Sequence, residues 1–158
     1  MNGTAGSIEI RGSGFAVLPA PVDLMRSASG VFVDTGLSLA LPAAGSYHLD
    51  AVVRGTIGWM TQGENAFVGA RLFDVTAGAV VPDSGAIVVQ IAEYPGTAAT
   101  GLGWNSSGAI SIEYAVTSPR TIRLEAARHD INSSGTTDFA GVSSDDNART
   151  TLRYRRVA

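Results

Sequence analysis

Two histidines, His48 and His129, are the residues of this chain best suited to acid–base chemistry near neutral pH. A serine–histidine–acid hydrolase would need a serine presented on a tight turn beside one of them. Serines are plentiful, but no Gly-x-Ser-x-Gly occurs. His48 falls on one side of an alternating stretch with Asp50 and Arg54, and His129 precedes Asp130 at the end of another. That spacing suits surface or interface polar residues better than a base and its nucleophile, so no catalytic residue is expected. Cysteine is absent, which removes disulfides, thiolate metal sites and a cysteine nucleophile. Asp145-Asp146-Asn147, and Asp130 with Asn132 and Asp138, offer hard oxygen ligands of the kind calcium takes. Neither has EF-hand spacing, and Asp and Asn in polar loops form turns on their own. No cofactor is therefore expected, structural calcium being the one ion these residue types could hold.

Recognition chemistry has better candidates. Arg149, Arg153, Arg155 and Arg156 form the strongest local charge cluster. On a strand Arg153 and Arg155 share a face, and Arg156 points the other way with Tyr154. Such guanidiniums either sit solvated or form a fork for the carboxylates of a neighbouring subunit. Tyr94 before Pro95, and Trp104 with Asn105 in a Gly/Ser-rich stretch, could form a recognition loop, although aromatics at such places also serve as core or loop anchors. Ile8, Ile10 and Arg11 stand in an N-terminal arm that could add a strand to a neighbour's sheet edge.

Composition narrows the setting. The 158 residues fit one domain, with residues 1–14 as an arm and 15–158 as a single folded unit. Only 16% of residues are charged, against about 25% in an average soluble domain, and self-association would account for the shortfall. All 11 basic residues are arginine, as a GC-rich coding sequence or an arginine-rich interface would produce. The net charge of −3 gives no electrostatic case for nucleic acid. No apolar run is long enough for a membrane helix, and the N-terminus does not read as a signal peptide, so use without export is expected.

The elements that must position these residues are strands. The 19 glycines and six prolines separate short runs rich in β-branched residues, and helical periodicity is nearly absent. The clearest pair is Leu37 to Leu41, a Pro42-Ala-Ala-Gly45 turn, then Tyr47, Leu49, Ala51 and Val53 alternating with His48, Asp50, Val52 and Arg54. Tyr47 and its set are expected to supply core and, with His48, interface contacts. Asp34-Thr-Gly36 reads as a turn, Ala66 to Val75 as a strand with Val68, Ala70 and Leu72 inward, and Ala86 to Ala92 as a strand buried on both faces. Glu93 to Asn105 reads as irregular. Gly108 to Thr117 and Arg120 to Arg128 read as half-buried strands, His129 to Asp146 as a polar loop, and Arg149 to Val157 as the last strand. About 8–10 strands in this length predict an all-β, antiparallel jelly-roll β-sandwich rather than a seven-stranded immunoglobulin-like one.

Thr35-Gly36-Leu37, an apolar strand, Pro42-Ala-Ala-Gly45 and then Tyr47 resemble the tumour-necrosis-factor-like jelly rolls, and within them the globular heads of the complement type. Ser118 to Ala126 resembles the penultimate strand of that family and Arg149 to Val157 the last. The usual aromatic-Ser-Gly-aromatic ending is replaced by Leu152-Arg-Tyr154-Arg-Arg156. The Leu-Pro-Ala-Ala-Gly-x-Tyr segment is also similar to short jelly rolls of tailed bacteriophages. The resemblance implies a homotrimer and a virion surface protein made in the host cytoplasm: a capsid decoration protein partnered by itself and by the major capsid protein or another virion protein. The alternative it implies is a tail-fibre or receptor-binding tip that recognises a cell-surface glycan or protein.

Overall fold

The computed structural model describes residues 12–60, 65–92, 101–131 and 137–157. Among these residues eleven strands follow in chain order: β1 (Ser13–Val17), β2 (Val22–Asp23), β3 (Val33–Leu41), β4 (Gly45–Trp59), β5 (Ala66–Asp74), β6 (Ala79–Val80), β7 (Ala86–Ile91), β8 (Leu102–Val116), β9 (Arg120–Asp130), β10 (Phe139–Ser143) and β11 (Thr151–Arg156). Among the described residues one 3-10 turn, Leu24–Arg26, is capped by Asp23, whose carboxylate accepts from the Met25 N–H. All pairings are antiparallel.

The strands form two sheets. One has the order β1-β11-β4-β8, the other β3-β9-β5-β7. Counting only these eight strands, the orders are 1-8-3-6 and 2-7-4-5, the interleaving of a jelly roll built from two Greek keys. The short β10 and β2 extend the first sheet to six strands, and β6 extends the second to five. Strand β4 is the organising element. Along one edge it pairs with β8 over all fifteen residues. Along the other it pairs first with β11, from Tyr47 to Val52, and then with β10, from Arg54 to Gly58.

Strand alternation explains the core. Tyr47, Leu49, Ala51, Val53, Ile57 and Trp59 of β4 are buried and face Val68, Ala70 and Leu72 of β5 and Ile122, Leu124 and Ala126 of β9 in one continuous cluster. Buried polar side chains tie turns to strands. Thr35 donates to the Leu124 carbonyl, Ser84 donates to the Val81 carbonyl and accepts from the Leu72 N–H, and Thr150 donates to the Ser143 carbonyl. Asp74 accepts from the Tyr114 hydroxyl at 2.9 Å, linking the two sheets. Burial first, and this hydrogen bond second, raise the Tyr114 pKa above its ordinary value.

Several sequence expectations are corrected. Asp34-Thr-Gly36 does not end a strand. It forms a bulge inside β3, where pairing with β9 slips between Asp34 and Ser38 and Gly36 takes a φ of +79° that a side chain would strain. Strand β7 is not buried on both faces: Ile87 and Gln90 are exposed. A second bulge, with Val88 of β7 as the extra residue opposite the Val68–Gly69 step of β5, turns both Val88 and Val89 inward. Their methyls lie 2.8 Å from where a Cβ on Gly55 would stand, so the sheets close up only over a glycine. The stretch read as irregular up to Asn105 already belongs to β8 from Leu102, because the long β4 offers it a partner as far as Trp59. Phe139–Ser143, inside the stretch expected to be a polar loop, is a strand on the far half of β4. The last strand begins at Thr151, which leaves Arg149 outside it.

Candidate functional site

The candidate site is the outer face of the six-stranded sheet. Because directly paired residues share a face, the register lays out its rows. One row runs Val17, Thr151, Val52, Ala109 across β1, β11, β4 and β8. The next runs Phe15, Arg153, Asp50, Ser111. The third runs Ser13, Arg155, His48, Glu113. Three of the residues singled out in the sequence, His48, Arg153 and Arg155, are thus brought together. They line a shallow groove of about 650 Å³ with Ser13, Phe15 and Asp50. Phe15 is 63% exposed at its rim.

Asp50 is the centre of the polar network. It accepts the Ser111 hydroxyl at 2.7 Å and lies 3.3 Å from Arg153 Nε. His48 Nε2 sits 3.1 Å from Ser111 Oγ and 3.2 Å from Asp50 Oδ1. Burial alone would raise the Asp50 pKa. The Ser111 hydrogen bond and the nearby His48 and Arg153 outweigh it and hold the carboxyl below its ordinary value. Serine, histidine and aspartate meet here, but not as a triad. Ser111 gives its proton to Asp50 and not to the imidazole, and Asp50 approaches the same ring nitrogen as Ser111 instead of orienting the opposite one. The arrangement fixes three side chains against one another on the outer face of the sheet.

The other predicted residues lie elsewhere. Tyr47 is fully buried: it is on the inward side of β4, its hydroxyl donates to the Ala43 carbonyl, and its ring meets Tyr154 edge-on at 5.4 Å. It supplies core and not an interface. Arg156, one residue out of phase with Arg155, reaches the Ala44 carbonyl at 2.7 Å and secures the turn before β4. Arg149 is exposed in the loop before β11. Trp104 and Asn105 are not in a loop. Both are on β8, Asn105 beside Thr56 on the outer face and Trp104 on the opposite side, 55% exposed. Ile8, Ile10, Arg11 and Tyr94 lie outside the described residues. Asp145 accepts the N–H groups of Asn147 and Ala148 in its own turn and faces Arg54 at 3.4 Å. Among the described residues no cluster of three or more His, Asp or Glu is arranged to hold a metal ion. Ser111, Glu113 and Phe15 were not singled out from sequence. Their alternation was visible, but which strand lies beside β4 depends on pairing between distant segments.

No family model and no curated protein matches the chain. Solved structures do match in fold. The D431N mutant VP2 protein of infectious bursal disease virus, from derived T=1 particles, superimposes with a TM-score of 0.54 at 13% identity over 94% of this chain and 32% of its own. The infectious bursal disease virus Gt strain structure gives 0.51 at 13% identity, over 95% of this chain and 38% of its own. The chain therefore spans about a third of those proteins, and what it shares with them is the jelly-roll sandwich.

Proposed function

We propose that the chain is a non-enzymatic structural component of a virus particle, a decoration or cement protein on the virion surface that assembles with itself and with a capsid protein. The observation that carries this reading is the likeness of nearly the whole chain to a jelly-roll segment of VP2, a particle-forming virus protein. The low charge content and a sheet face with a fixed polar network fit the same reading. A tailed-bacteriophage source and a three-fold homotrimer are the finer parts of the proposal and rest on the sequence resemblance. Mechanistically, a protein that contacts several capsid subunits only in the assembled lattice stabilises that lattice by mass action. The reading predicts that purified particles of the encoding virus contain the chain, and that removing it lowers their resistance to heat. Particles that lack it, or that melt identically without it, would sink the proposal. The alternative, a fibre tip that recognises a host surface, is favoured by exposed Trp104 alone. Density for the chain on the tail instead of the head would select it.

A further inference from the structure

The outer face of the six-stranded sheet carries two charges with nothing to bind. Arg155 on β11 and Glu113 on β8 both stand directly beside His48 of β4, on opposite sides of it. Both are exposed, and neither makes an ion pair or hydrogen bond among the described residues. With strands about 4.8 Å apart, the two lie about 5 Å to either side of the β4 line. A two-fold axis running along β4 in the plane of contact exchanges those two positions.

We propose that a second copy of this chain docks on this face about such an axis, Arg155 of each copy against Glu113 of the other. The contact is isologous, so the one complementary pair is made twice. The neighbouring rows are compatible with it. Val52, 41% exposed on the axis, meets its own copy within the uncharged row of Val17, Thr151 and Ala109. Arg153 comes opposite Ser111 of the other copy. Asp50 faces Asp50, each already neutralised by its own Arg153 and held by Ser111. Exposed Phe15, one strand further out than Arg153, falls past the edge of the other copy's β8 and closes the rim. An axis across the strands instead would set Arg155 against Thr151 and Glu113 against Ala109, leaving both charges unmatched.

Four strands and about six residues give a flat face of roughly 300 Å², below the roughly 800 Å² per partner of a stable interface. The contact is therefore weak between free copies and acts between copies already held close on a particle. In this sense it rests on the self-assembly reading above, and it would join neighbouring trimers and not form them. The test is sedimentation equilibrium of the purified chain at about 100 µM, where a weak contact is still populated, at low and high salt. Association weakened by salt is expected. Arg155→Glu and Glu113→Arg should each weaken it by about tenfold or more, because each sets like charges opposite one another twice. The double variant Arg155→Glu/Glu113→Arg should restore it. Because the chain has no cysteine, Val52→Cys with a thiol crosslinker spanning about 10 Å, the spacing of stacked sheets, should give covalent dimers, and Val80→Cys on the other sheet should not. A chain that neither associates nor crosslinks, or one whose association ignores both reversals or is not rescued by the double variant, overturns this contact. Presence of the chain on purified particles would still uphold the structural role, so the two failures are separable.

Discussion

Strand β1, which carries Ser13 and Phe15 to the rim of the outer face, pairs among the described residues along one edge, with β11. Gly14 lies directly across from Tyr154, and the Tyr154 ring covers it. A Cβ on Gly14 would stand 2.3 Å from Tyr154 Cε1 and 2.9 Å from Cδ1. Carbon atoms in contact prefer about 3.5–4.0 Å, so the ring must retreat by more than about 1 Å. It cannot retreat inward, because the fully buried Tyr47 meets it edge-on at 5.4 Å. Gly14→Ala must therefore swing Tyr154 outward or lift β1. Losing the ring contact costs about 0.5–1.5 kcal/mol, and the overpacking as a whole about 1–3 kcal/mol. At about 2–4 °C per kcal/mol for a domain of this size, the melting midpoint should fall by several degrees. Amide protection along Ser13–Val17 should fall further than that of β4. Removing the ring should reverse the sign. In a Tyr154→Ala background the same Gly14→Ala change should be neutral, or stabilising by about 0.4–1 kcal/mol through a stiffer unfolded chain. Calorimetry of the four proteins closes the cycle. A Gly14→Ala midpoint at or above wild type, or an equal loss in both backgrounds, would refute the steric account.

Two predictions concern the other sheet. His129 stacks on Phe67 at 4.4 Å and meets Phe32 at 5.7 Å, and its burial lowers its pKa below 6.5 against the opposing pull of Asp130. The unfolded chain thus takes up the proton first. This stability is present above pH 6.5 and is lost as pH falls from there toward the folded-state pKa, below which it changes no further. Urea midpoints from about pH 8 to about pH 5 should show that slope, and His129→Phe should flatten it; an unchanged slope in the variant would count against it. Glu125 is buried and receives hydrogen bonds from Arg71 at 2.8 Å and Arg123 at 3.0 Å. Glu125→Leu should cost about 1–3 kcal/mol, less than a fully buried pair would, because both guanidiniums keep some contact with water. Denaturant titration checks this, and a neutral result would mean that the cluster contributes packing alone.

What sequence could reveal here was set by the range of the interaction. Alternation is local, so the inward sets of β4, β5, β8 and β9 were readable, as was the sharing of one face by Arg153 and Arg155. Alternation places Tyr47 in the core, and a residue on the inward side of a central strand has no surface to offer an interface. Bulges hid both features: two extra residues between Asp34 and Ser38 carry β3 through a turn-like sequence without changing its alternation, and one extra residue, Val88, changes which side chains of Ala86 to Ala92 face in, neither leaving a compositional mark. Pairing between distant strands was not legible at all. It is what sets Ser111 and Glu113, sixty-odd positions further along, beside Asp50 and His48.

The two outer faces of the sandwich differ in a way that bears on which is free to bind. On the five-stranded sheet the charges are spent internally. Glu125 holds Arg71 and Arg123, Arg123 also reaches Asp34 at 3.4 Å, and the two guanidiniums lie over the rings of Phe32 and Phe73 at 4.0 and 4.7 Å. A partner arriving there would have to break a network that is already satisfied, and would gain little for each hydrogen bond exchanged. On the six-stranded sheet, among the described residues, Arg54 is paired with Asp145 and the row around Asp50 is closed. The row beside it leaves Arg155 and Glu113 solvated, and Phe15 projects at the rim. Docking there desolvates two exposed charges that have no partner to lose among the described residues, and it covers part of a ring that is 63% exposed. In a chain with so few charges, that imbalance makes the six-stranded face the place where association is least opposed.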